Sequence, residues 1–149
     1  MATGNTLHVE IVTAERKLYS GEADSVQAPG SEGQLGILPR HAAFLTTLSP
    51  GALSIKLAGA EEAIFVSGGF LEVSNNNVIV LADAAEHADD IDQARAEEAR
   101  HRAQERLAQA QSNVERAQLE AALQRAILRL RVAETARHSG RHRITATGS

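Results

Sequence analysis

From Glu86 to Ser139 the sequence contains neither glycine nor proline. All three prolines (Pro29, Pro39, Pro50) and all four aromatic residues (Tyr19, Phe44, Phe65, Phe70) come before that stretch. A chain segregated in this way has two differently built parts. The first is punctuated by turn formers. The second is rich in Ala, Glu, Arg, Gln and Leu, which favour an uninterrupted helix. At 149 residues there is room for one compact domain and an appendage.

The first part reads as short strands. In Thr6–Val12, TLHVEIV alternates so that Leu7, Val9 and Ile11 share one face. Residues 23–28 and 51–57 have the same character. Segments 61–67 and 69–74 flank Gly68, where a bulge or bend is expected. Ser74–Asn77, SNNN, precedes the apolar run VIVLA. Asparagine tolerates positive φ, so the pair of segments reads as a hairpin. Roughly eight to ten such strands predict an antiparallel β-sandwich or flattened barrel.

In the second part Asp90 is placed to cap a helix, with Gln93 as a capping-box partner. That helix is predicted over 91–110, with Ala96, Ala99, Ala103, Leu107 and Ala110 as its apolar stripe. Ser112 and Glu115 form an S-x-x-E box that opens a second helix, with Leu119, Leu123, Ala126, Leu130 and Ala133 as its stripe. The short connection makes an antiparallel two-helix hairpin. The fold class is therefore α+β, with a sandwich over 1–85, a helical hairpin over 86–137 and a disordered tail over 138–149. The hairpin seam is thin. Each buried CH₂-sized group contributes about 0.8 kcal/mol, and one helix offers mostly alanine methyls. Such an element can open, and modest differential binding can shift it.

Several function classes are excluded. Without cysteine there are no disulfides or thiolate metal sites. A formal charge of -4 argues against general nucleic-acid affinity. No apolar run approaches the ~20 residues of a membrane-spanning helix, and MATGNTLHVE lacks the regions of a signal peptide. The six histidines show no ligand spacing, which weighs against a cupin-like metal enzyme. GSEGQLG is followed by Ile37-Leu38-Pro39, and the only lysines are Lys17 and Lys56, so no P-loop is present. An alanine-rich stripe with a short loop argues against an oligomeric coiled-coil adaptor.

Three stretches carry a family likeness: GSEGQLGILPRH (30–41), SGGFLEV (67–73) and DIDQARA (90–96). With the order sandwich then hairpin, they make the chain resemble the epsilon subunit of bacterial F-type ATP synthase over about residues 6 to 137. The resemblance implies a non-catalytic subunit of the central stalk, peripheral to the cytoplasmic face of the cell membrane. Its sandwich would clamp the gamma subunit and sit on the c-ring. Its hairpin would permit turnover when folded, and inhibit ATP hydrolysis when extended along gamma into the alpha/beta hexamer. No cofactor is required, but ATP is implied as a regulatory ligand of the folded hairpin through an I/L-D-x-x-R-A motif, here Ile91-Asp92-Gln93-Ala94-Arg95-Ala96. An alternative is a rotor subunit without ATP sensing.

Matched residue by residue, the ATP-binding set is Glu86, Ile91, Asp92, Arg95, Ala96, Arg102, Arg125 and Arg129. At about 100° per residue, Asp92, Arg95, Ala99 and Arg102 fall within roughly a quarter of the helix circumference. Arg125 and Arg129 are i, i+4 neighbours. Arginines gathered this way suit a triphosphate, Glu86 and Asp92 suit the adenine amino group or the ribose, and Ala96 leaves room for a flat base. The bland alternative is a solvated face of i, i+4 ion pairs. A second use of the same arginines is pairing with acidic residues of the alpha/beta interface. The resemblance also places Glu32, Gln34 and His41 against the polar loops of the c-ring. Some relatives carry an acid where Gln34 stands.

Overall fold

The computed structural model describes residues 5–139 and Ile144. Of the tail expected to be disordered over 138–149, His138 and Ser139 instead continue the second helix, and apart from Ile144 the rest falls outside the described residues. The alternating stretch forms β1 (Leu7–Val12), with Leu7, Val9 and Ile11 buried. Then follow β2 (Lys17–Ala23), β3 (Ser25–Gly30), β4 (Gly33–Ile37), β5 (Phe44–Leu48) and β6 (Gly51–Leu57). The remaining strands are β7 (Ala60–Val66), β8 (Gly69–Ser74), β9 (Asn77–Ala82) and β10 (Ala85–His87).

The strands follow the path β10-β7-β6-β3-β5-β8-β9-β1-β2, and β4 pairs with β3 off that path. β2 reaches β6 and β10, so the sheet folds over itself into a flattened barrel. The expected fold class holds. Among the described residues, the pairing of β1 with β9 is parallel and the other pairings are antiparallel. The interior holds Leu53, Ile55, Ile64, Leu71, Val73, Val78 and Val80 with the β1 residues, and the polar residues Ser54, Glu62 and His87 are buried as well.

Turn chemistry explains much of the register. Asn75 and Asn76 take positive φ (50° and 62°) between β8 and β9, as SNNN predicts. Gly69 has φ 129°, and a Cβ there would lie 2.1 Å from the Leu81 carbonyl oxygen, so only glycine fits. The glycine-rich segment GSEGQLG, which is no P-loop, contains most of β4. It forms a hairpin with β3 around Ser31 and Glu32, with Ile37 buried. Pairing with β3 supplies the order that its composition does not.

Helix α1 runs Gln93–Ala108 and α2 runs Asn113–Ser139. The α1 cap differs from expectation. Asp90 ends a short 3₁₀ turn (Ala88–Asp90), and Asp92 is the cap, accepting from the Arg95 N–H at 3.1 Å. The cause is Ile91, which is buried and keeps an extended backbone (φ −68°, ψ 120°), so the helix cannot begin before it. The second cap is as expected. Ser112 Oγ accepts from the Glu115 N–H at 3.1 Å, and Glu115 accepts from the Gln111 N–H at 3.3 Å.

The hairpin seam is tight near the sandwich and loose away from it. Ala96 and Ala103 of α1 are buried, as are Ala126, Leu130 and Ala133 of α2. Leu107, Ala110, Leu119 and Leu123, toward the connection, are only half-buried. Val132 and Ala136 join Ala63 and Phe65 of β7, together with Ile91, in a second apolar cluster that docks α2 on the sheet. No helix of the described residues is long and apolar enough to cross a membrane.

Candidate functional site

Where the hairpin meets the sandwich there is a cleft of about 500 Å³. Phe65, Ser67, Asp83 and Glu86 line it from the sandwich side. Ala99 of α1, and Ala122, Arg125, Ala126 and Arg129 of α2, line it from the helices. β10 positions Glu86 because Glu86 lies opposite Phe65 in the sheet register. The alanines form the floor. Small side chains let the helices pass close to the sheet while leaving open space between the charged groups.

The strongest polar link across the cleft is between Glu86 and Arg129. Arg129 Nε donates to Oε2 at 2.8 Å and Nη2 donates to Oε1 at 3.0 Å. Both side chains are about one-quarter exposed. This fork geometry is directional as well as charge-assisted. Arg125, one turn earlier on α2, is exposed at the cleft. It faces a sandwich wall that carries Asp83.

The eight residues expected around a nucleotide are therefore divided. Glu86, Arg125 and Arg129 share the cleft. Asp92 and Arg95 lie at the exposed start of α1, where Asp92 caps the helix and its carboxylate is 3.9 Å from the Arg95 guanidinium. Arg102 is exposed on α1 and does not line the cleft. Ile91 and Ala96 are buried in the apolar cluster with Phe65, Leu130 and Ala133. Ala96 is fully buried, so its small size serves close helix packing.

Sequence reasoning missed Ser67 and Asp83, which sit at the ends of β7 and β9. The only signal was proximity to Gly68, where a Cβ would approach Asp83 Oδ2 at 3.1 Å. It also missed the buried pair in which His87 Nδ1 lies 2.5 Å from Glu62 Oε1. Nothing in the spacing of those two residues announces the contact.

The residues expected at the c-ring lie on and after the β3–β4 hairpin. Glu32 is exposed at its turn and Gln34 is exposed on β4. His41 lies beyond β4, with its Nδ1 2.7 Å from the Ala42 carbonyl oxygen and its ring edge-on to Phe44 at 6.1 Å. Glu32 and Gln34 thus share one hairpin tip. Among the described residues, no group of three or more His, Cys, Asp and Glu is placed to hold a metal ion.

Comparison with known proteins agrees with this architecture part by part. The family description "ATP synthase, Delta/Epsilon chain, beta-sandwich domain" matches residues 6–88. "ATP synthase, Delta/Epsilon chain, long alpha-helix domain" matches residues 89–134. An ATP synthase epsilon chain of Nitratidesulfovibrio vulgaris (strain DP4) is 51% identical over 127 residues, which is 85% of this chain and 95% of that one. Among solved structures, a chain of the Euglena gracilis mitochondrial ATP synthase (OSCP/F1/c-ring) superposes with a TM-score of 0.76 at 22% identity. The match covers 90% of this chain and 82% of that one. A chain of the Tetrahymena thermophila mitochondrial ATP synthase central stalk and c-ring gives 0.59 at 14%, covering 85% and 96%. At those identities the two structures speak for the fold alone. The matched domains and the 51% relative establish that this chain belongs to the ATP synthase delta/epsilon family, as an epsilon-chain member.

Proposed function

We propose that the chain is a non-catalytic rotor subunit that joins the gamma subunit to the c-ring and restrains ATP hydrolysis by releasing its helical hairpin. The observation that carries the regulatory part is how the hairpin is attached. α2 is held to the sandwich by an alanine-rich apolar cluster and by the Glu86–Arg129 fork, beside an open charged cleft. A ligand that bridges the cleft walls stabilises the folded position. An acidic surface that captures the freed arginines stabilises the extended one.

ATP suits the first role. Arg125 is available to phosphate oxygens, and Arg129 reaches phosphate by sharing or leaving Glu86. Ser67, Asp83 and Glu86 offer acceptors for ribose or adenine donors. For the rotor role, one sandwich face supplies the docking surface for gamma. Leu45, Thr47, Phe70, Glu72, Ile79 and Leu81 are all exposed on neighbouring strands, with Phe70 opposite both Thr47 and Leu81. Leu45 is 68% exposed, Leu81 55% and Phe70 53%, an apolar grouping that is unusual on a free surface. The chains of similar fold in the Euglena and Tetrahymena complexes come from assemblies described as containing a c-ring.

The test is inhibition of a reconstituted ATPase by the full chain and by a chain ending at residue 88. The reading requires inhibition by the full chain and its relief by the truncation. Equal inhibition by both removes the hairpin from the mechanism.

A further inference from the structure

Ile144 lies beyond residue 134, where the family match stops, yet it packs into the sandwich core. Its side chain is buried, and its backbone N–H donates to Glu62 Oε2 at 3.1 Å. Glu62 is 2% exposed. It sits on the same side of β7 as Ile64 and Val66, both fully buried, so it points toward the barrel interior. A buried carboxylate needs donors for both oxygens. His87 Nδ1 on β10 lies against Oε1, and the Ile144 N–H serves Oε2.

We propose that Ile144, seated in the sandwich core against Glu62, latches the hairpin in its folded position. The constraint is chain length. Ile144 follows Ser139, the last residue of α2, by five residues, which span at most about 18 Å fully extended. α2 is 27 residues long, or about 40 Å. While Ile144 is seated, the end of α2 stays tethered near Glu62. Carrying the hairpin away from the sandwich pulls Ile144 out, exposes its side chain and strips Glu62 of a donor. The latch deepens the proposed regulation and rests on the reading that the hairpin detaches.

Hydrogen exchange on the full-length chain reads the contact and the coupling separately. The Ile144 amide is expected to exchange at least about tenfold more slowly than an unstructured amide. In Ile144→Ala, and in a chain ending at Ser139, α2 amides such as those of Leu130 and Ala133 should exchange about tenfold faster, with β1 and β9 unchanged. An unprotected Ile144 amide overturns the latch. So does unchanged α2 exchange in both variants. Failure of the wild-type chain to inhibit a reconstituted ATPase strikes the regulatory reading instead, and leaves the docking contact to be judged by the amide.

Discussion

Arg129 of α2 spans both carboxylate oxygens of Glu86 on β10, and this fork is the principal polar tie between the hairpin and the sandwich in the cleft. Partial burial keeps it from being a loosely screened surface pair, and two parallel bonds fix its geometry. Arg129→Met is expected to weaken hairpin docking by roughly 1–2 kcal/mol. Glu86→Gln should cost less, because an amide still accepts one bond. A double-mutant cycle read by α2 hydrogen exchange checks this. A coupling energy near zero would mean that the fork adds nothing to the docking of α2.

Binding of ATP should depend on Arg125 more than on the start of α1. ATP is expected to raise the melting temperature of the isolated chain more than ADP does, and Arg125→Ala should abolish the rise. Asp92 acts differently because its carboxylate caps α1. Asp92→Ala should cost about 1 kcal/mol with or without nucleotide, whereas Asp92→Asn, which still caps, should cost only a few tenths. If Asp92→Asn also removes the ATP response, the carboxylate charge at the start of α1 belongs to the site. Absence of any shift at millimolar ATP would remove nucleotide sensing and leave the rotor role intact.

Ala96 tests the seam from inside. It is fully buried among Ile91, Phe65 and Leu130, so there is no space for a larger side chain. Ala96→Leu should destabilise the folded hairpin by roughly 1–3 kcal/mol through overpacking. In a reconstituted complex this should appear as stronger inhibition, since the folded position is what is lost. Weaker inhibition would show that the same side chain is needed in the extended position.

The sheet and the hairpin were legible because their signals are local. TLHVEIV alternates, SNNN provides the positive φ values of Asn75 and Asn76, and Ser112 with Glu115 caps α2. What escaped depended on distant partners. β4 hides in a glycine-rich stretch and is ordered only by β3. β10 is three residues long and exists through its pairing with β7. The helix cap moved from Asp90 to Asp92 because Ile91 is drawn into an apolar cluster formed with β7 and α2. Similarly, the cleft recruits Ser67 and Asp83 from strand ends, and no periodicity links those positions to Arg125.

Tyr19, buried in the sandwich core, supplies a pH test of that core. Burial, then the negative charges of Glu62 and Glu22, push its phenol up to about 12 from 10. Its hydroxyl donates to the Glu22 carbonyl oxygen at 2.8 Å. The folded value lies above the unfolded one, so the contribution to stability is complete below pH 10. It is lost as pH rises toward 12, because the unfolded chain releases its proton first. Linkage puts the loss at roughly 2–3 kcal/mol. Phenolate absorbance should titrate near 12 in the folded chain, and Tyr19→Phe should flatten the stability profile between pH 10 and 12. A midpoint near 10 in the folded protein would contradict the burial and charge around this ring.

The outer face of β5, β8 and β9, proposed above as the gamma docking surface, allows rotor attachment to be tested apart from the hairpin. Phe70 is 53% exposed at its centre, with Leu45 and Leu81 beside it, and none of these three belongs to the barrel core or the hairpin seam. Phe70→Glu should therefore change the stability of the isolated chain by no more than about 0.5 kcal/mol. Aromatic anchors at the centre of an interface commonly carry 2 kcal/mol or more, so affinity for the gamma subunit should fall by roughly 30-fold or more. The variant should lose inhibition by failing to assemble, while its ATP-induced thermal shift stays intact, because Phe70 does not line the cleft. Calorimetric titration against gamma together with thermal melts distinguishes these effects. Undiminished gamma affinity in Phe70→Glu would place the rotor contact on another face, and the exposed apolar residues here would need a different partner.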